Sequence, residues 1–81
     1  MHKFKIGDYV VLTETYGRML SYSHSIEFSE GDIGIIIEQT ESQNNIVIEY
    51  INTGIRDRLK IILLELASLQ DIAKCRIKNA V

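Results

Sequence analysis

The chain has 81 residues, 46% of them hydrophobic, with one cysteine, no tryptophan, no proline and a net charge of −2. A lone cysteine excludes an internal disulfide, and a slightly acidic balance excludes a surface given over entirely to a phosphate backbone. A chain this short buries only about 60% of its unfolded surface, so an isoleucine-rich core, alone or shared with a second copy, has to stabilise one domain spanning 1–81.

Lys5 to Thr13 reads as a first strand. Ile6, Val10 and Leu12 share one parity, and the two-residue strand period sends them to one face. Gly7-Asp8 is a turn pair at its entry, and the phrase returns as Gly31-Asp32. Between Thr13 and Gly31 no period of 2 or 3.6 is visible, and the segment is rich in serine and tyrosine with a turn at Gly17-Arg18. It reads as one long loop, with Met19-Leu20 and Ile26-Phe28 dipping towards the core. Loops of that length in compact domains are usually functional or disordered.

Gly31 to Gln39 is the next strand, with Ile33, Ile35 and Ile37 on one face and Gly34, Ile36 and Glu38 on the other. Gly34 inside it signals a bulge or a close backbone approach. A polar loop at Thr40–Asn45 leads to a third strand, Ile46 to Ile51, in which Ile46, Ile48 and Tyr50 alternate with Val47, Glu49 and Ile51. Asn52-Thr53-Gly54 is a turn, and Ile55 to Ile62 is a fourth strand. Leu63-Leu64-Glu65-Leu66 reads as a short helical closing turn. Ser68 with Asp71 three residues later forms an acid version of the capping box, and Leu69, Ile72, Ala73, Ile77 and Ala80 fall on one helical stripe. A C-terminal helix is expected over 68–79.

Lys5-Ile6-Gly7-Asp8-Tyr9-Val10-Val11-Leu12, Gly31-Asp32-Ile33-Gly34-Ile35-Ile36 and the closing Leu63-Leu64-Glu65-Leu66 together resemble SH3-like barrels of the KOW and phage accessory type. The resemblance covers about 5–66 and implies a mainly β fold: a small barrel of four to five antiparallel strands followed by the helix. It implies a binding module and not an enzyme. Two departures narrow it. The chain lacks the tryptophan and the Ala-Leu-Tyr-Asp-Tyr opening with which signalling SH3 domains recognise proline-rich peptides.

Charge is unevenly spread. Residues 1–54 hold three basic and eight acidic side chains, whereas 55–81 hold six basic and three acidic. Such a split steers a polar partner to one end. Arg56, Arg58 and Lys60 stand two apart on one strand, so all three share a face. Either they hold phosphates or an acidic partner, or they keep a sheet edge soluble. Tyr16, Arg18, Tyr22 and His24 in the long loop have the composition of an adaptable binding surface, where tyrosine supplies area and serine hydrogen bonding; the alternative is a loop packed over the barrel mouth. On the helix, Leu69, Ile72, Arg76 and Ile77 would form an oligomer contact. Arg76 interrupts the apolar stripe, so it must reach water, find a carboxylate or meet a second copy.

No Gly-rich phosphate loop, Gly-x-Ser-x-Gly elbow or His-Glu-x-x-His occurs. His24 and His2 have no metal-ligand spacing to Cys75. The reading is a non-enzymatic protein-binding module without cofactor or metal, in the style of phage or mobile-element accessory proteins that inhibit or redirect a host factor. The alternatives are a KOW-like nucleic-acid-binding domain acting through the basic strand and a homo-oligomeric small-ligand binder. Residues 1–12 lack an apolar signal region and no apolar run is long enough to span a bilayer, so a cytoplasmic protein is expected.

Overall fold

The computed structural model describes residues 4–21, 23–41 and 44–79, with Leu20, Ser21 and residues 75–79 described by backbone alone. The described chain is mainly β, in two antiparallel sheets with one short C-terminal helix. A five-stranded sheet is ordered β6-β5-β4-β1-β7, from β1 (Tyr9–Leu12), β4 (Ile33–Gln39), β5 (Asn45–Tyr50), β6 (Arg56–Lys60) and β7 (Leu64–Leu66). A separate hairpin pairs β2 (Tyr16–Ser21) with β3 (His24–Phe28). A 3₁₀ turn at Ile61–Leu63 joins β6 to β7, and the helix α1 covers Leu69–Asn79.

The doubled Gly-Asp builds the same turn twice. In Lys5-Ile6-Gly7-Asp8 the Asp8 N–H donates to the Lys5 carbonyl at 3.0 Å, and Asp8 Oδ2 accepts the Lys5 N–H at 3.0 Å. In Ser29-Glu30-Gly31-Asp32 the Asp32 N–H donates to the Ser29 carbonyl at 3.0 Å, and Asp32 Oδ2 accepts the Ser29 N–H at 2.9 Å. Gly7 and Gly31 have φ of 95° and 94°, the positive value that the third residue of a type II turn requires and glycine adopts without a Cβ penalty. Each turn is sewn to the opposite strand: Gly7 N–H to Ile36 O and Gly31 N–H to Leu12 O, both at 2.8 Å, then Ile36 N–H to Asp8 O and Leu12 N–H to Asp32 O, both at 2.9 Å. The β1–β4 ladder thus begins and ends on equivalent turns. This is why the first strand starts at Tyr9 and not at Lys5, and why Ile6, in the turn, is exposed.

Alternation places the core where the pattern indicated. Val10 and Leu12 of β1, Ile46, Ile48 and Tyr50 of β5, and Leu59 of β6 are buried together with Ile36, Leu64, Phe4 and Phe28. A register shift between Ile36 and Glu38 breaks the simple two-face pattern of β4. At Gly34 the close approach is real, since a Cβ there would lie 2.8 Å from Ile48 Cδ1 and 3.4 Å from the Glu49 carbonyl.

Consecutive strands β6 and β7 form the two edges of the five-stranded sheet. The four-residue step from Lys60 to Leu64 spans at most about 14 Å, whereas the edges of a flat five-stranded sheet stand about 19 Å apart. The sheet is therefore curled. The Thr13 N–H and Oγ1 both donate to the Leu63 carbonyl, at 2.9 and 3.0 Å, and fasten the closing turn to the end of β1.

Other expectations need correction. The expected loop from Thr13 to Gly31 is largely the β2–β3 hairpin, with Tyr16 opposite Phe28 and Arg18 opposite Ile26. Gly17-Arg18 is inside a strand and not at a turn, and Met19, 72% exposed, points away from the core. The closing helical turn lies at Ile61–Leu63, so Leu64-Glu65-Leu66 is a strand paired to β1 and the fourth strand ends at Lys60. The helix starts as read: Asp71 Oδ2 accepts the Ser68 N–H and hydroxyl, both at 2.9 Å, while Asp71 N–H donates to Ser68 Oγ at 3.1 Å. These bonds hold the Asp71 carboxyl below its ordinary value.

Candidate functional site: a basic groove between the hairpin and β6

Tyr16 and Arg18 share one parity on β2, and that face of the hairpin turns towards β6. Its target is Asp57. On β6 the burial pattern alternates, with Arg56, Arg58 and Lys60 exposed and Asp57 and Leu59 buried. Asp57 is 6% exposed, a costly position for a carboxylate unless every lone pair finds a donor. It finds three. Tyr16 Oη donates to Oδ2 at 2.9 Å, Arg18 Nη1 donates to Oδ1, and the Arg58 backbone N–H donates to Oδ1 at 2.9 Å. The Tyr50 hydroxyl lies 2.8 Å from that of Tyr16. Because Tyr16 spends its single proton on Asp57, Tyr50 is the donor in that pair.

Aromatic packing supports the same joint. Phe28 stacks on Tyr50 with ring centroids 4.2 Å apart and an 8° interplanar angle, and Tyr16 leans on Phe28 at 5.1 Å. Burial pushes the Tyr50 phenol up to about 12 and raises that of Tyr16 further. Both phenols therefore stay protonated as hydrogen-bond donors through the physiological range.

Tethering the hairpin to β6 leaves an open groove of about 520 Å³ between them. Tyr16, Gly17 and Arg18 form one wall. Four consecutive residues, Asp57 to Lys60, form the other, and Ile62 and Leu63 of the 3₁₀ turn close one end. Arg18 keeps 53% of its side chain exposed despite its bond to Asp57. Arg58 and Lys60 are exposed and make no ion pair among the described residues. Arg56 differs, since its Nε donates to Glu49 Oε1 at 2.9 Å across the β5–β6 ladder.

The residues singled out from the sequence thus divide. Tyr16, Arg18, Arg58 and Lys60 come together at the groove. Arg56 shares their face but is paired with Glu49. His24 stands opposite Ser21 at the far end of the hairpin, with Nδ1 3.0 Å from Ser23 Oγ. Tyr22 lies outside the described residues, as do the side chains of Arg76 and Ile77. Leu69 is 87% exposed and Ile72 half-buried. Asp57 and Tyr50 were missed as members of the joint. A signal existed: Asp57 is an acid on the core-facing parity of its strand, and Arg18 is the only Lys or Arg between Lys5 and Arg56.

Among the described residues no cluster of three His, Cys, Asp or Glu could hold a metal ion, and no helix is long and apolar enough to cross a membrane. No family model matches the chain, and no curated protein or solved structure is detectably similar to it.

Proposed function

We propose that this chain is a non-enzymatic protein-binding module of SH3-like architecture, and that it binds through the groove between β2 and β6. The fold reading is supported by the strand order, by the hairpin placed between β1 and β4, and by the curled sheet whose two edges are joined by a 3₁₀ turn. The functional reading is carried by one observation. Three exposed cations, Arg18, Arg58 and Lys60, line a groove whose single carboxylate, Asp57, has its oxygens already occupied. A groove built this way gains from a partner with negative charge.

The phage-type accessory role suggested by the sequence is the biological setting in which a small binding module of this kind inhibits or redirects a host factor. Nucleic-acid binding through the same cations is the second reading. It is the weaker one, because strand-binding proteins stack bases on exposed aromatic faces, and here Tyr16, Phe28 and Tyr50 stack on one another.

Affinity capture from a host lysate tests the proposal when wild type and an Arg58→Glu/Lys60→Glu variant are run side by side. The expected result is a protein captured by the wild type and lost in the folded variant. An unchanged capture by both would place the interface elsewhere. Nuclease-sensitive recovery would favour the second reading.

A further inference from the structure

We infer that the ligand of this groove is an extended protein segment carrying acidic residues two positions apart with an apolar residue between them. The inference rests on the groove being the binding surface and names the class of partner.

Arg58 and Lys60 stand two residues apart on one face of β6, so their stems are separated by about 6.6 Å along the strand. An extended chain has the same rise and the same alternation, so acids at i and i+2 meet both cations at once. The residue between them turns to the other side, and there the groove is apolar: Leu59 and Leu63 line it, and Ile62 stands 80% exposed at its end. A helix also sets side chains three or four apart at about 5–6 Å, but its backbone groups are spent on one another, so an extended segment is the one that can also answer the outward-pointing backbone of β6.

Charge and backbone agree with this assignment. Arg18, with five N–H groups in its guanidinium, offers donors beyond the one committed to Asp57 and faces the ligand from the opposite wall. The main chain of β6 also contributes. Tyr50 N–H donates to Ile55 O and Ile61 N–H to Asn44 O, both at 2.8 Å. With antiparallel alternation, residues 57 and 59 then bond to β5 while the N–H and C=O groups of residues 56, 58 and 60 point away from it. Within β6 the Arg58 N–H is already taken by Asp57 Oδ1, which leaves Lys60 as the backbone donor beside the groove. The stretch from Asp57 to Lys60 is about 10 Å long from first Cα to last, room for about four residues of extended ligand.

The test uses the full chain and four labelled probes: a peptide alternating glutamate and valine, one of the same composition with its glutamates in a block, one alternating lysine and valine, and a short thymidine oligonucleotide. Amide NMR spectra are followed during each titration. The expected result is binding of the alternating acidic peptide, with shifts at Tyr16–Arg18 and Arg58–Lys60, weakening about tenfold in Arg58→Glu/Lys60→Glu, weaker binding of the block peptide, and none of the lysine peptide. An alternating acidic peptide that fails to bind, or binds the charge-reversed variant equally well, overturns the inference. If capture of a lysate protein is still lost on charge reversal in that case, the groove stands as the interface and only the partner class falls. Binding of the oligonucleotide in place of the peptide overturns it in favour of nucleic acid.

Discussion

Tyr16 donates its phenolic proton to Asp57 over 2.9 Å, although 41 positions separate them. With Tyr50 donating to Tyr16, a relay runs from β5 through the hairpin to β6 and ends on a buried carboxylate that Arg18 neutralises. Among the described side chains of the hairpin, the apolar ones packed on the core are Tyr16, Ile26 and Phe28. The hairpin's position over β6, and with it the groove, also depends on this polar joint. Buried networks of this kind hold firmly when complete and cost most when half made.

Replacing Asp57 by alanine strips the acceptor from Tyr16, Arg18 and the Arg58 amide together. The expected loss is about 3 kcal/mol in urea unfolding, because buried donors left unpaired cost about 1–3 kcal/mol each. Arg18→Ala should cost less, since Arg18 is half exposed and water replaces part of it. The double variant should lose less than the sum of the two. Strict additivity would mean that Arg18 and Asp57 do not interact in solution.

Alkaline pH should loosen the joint. Tyr50 has its phenol raised from 10 to about 12 by burial, and Tyr16 is raised in the same direction. Below pH 10 folded and unfolded chains hold these protons alike and the contribution is intact. Between pH 10 and about 12 the unfolded state ionises first, so stability falls as pH rises. Absorbance at 295 nm should show a delayed fraction of tyrosine ionisation that disappears in Tyr16→Phe/Tyr50→Phe. A wild-type titration with no delayed fraction would contradict the buried relay.

Gly7→Ala and Gly31→Ala should destabilise by similar amounts, about 1–2 kcal/mol each. A Cβ at either site meets nothing within 4 Å, so the cost is that of positive φ alone. Gly34→Ala should destabilise for the opposite reason, through contact with the buried Ile48. Thermal unfolding of the three variants checks this. Clearly unequal costs at Gly7 and Gly31 would show that the two turns are not equivalent in solution.

Much of this was legible from the residues. Ile46, Ile48 and Tyr50 alternate cleanly because one face of β5 is buried, and Arg56, Arg58 and Lys60 share a face for the same reason. The Ser68–Asp71 cap is local, so its spacing sufficed. The hairpin was hidden because a register shift between Met19 and Ser21 breaks its period and because Met19 and Ser25 face water, leaving no apolar alternation to read. The apolar run Ile61–Leu64 carries no period of its own, so the 3₁₀ turn and the start of β7 could not be told apart. The joint was invisible for a different reason: Tyr16, Tyr50 and Asp57 are distant in sequence, and only the fold brings them together.

Hydrogen exchange of the complex with a captured partner tests the central claim most directly. The groove reading expects the Lys60 amide, which points away from β5, to gain protection together with the Gly17 and Arg18 amides, while α1 and the hairpin tip near His24 exchange as in the free protein. Protection confined to α1 or to the hairpin tip, with the β6 amides unchanged, would contradict it.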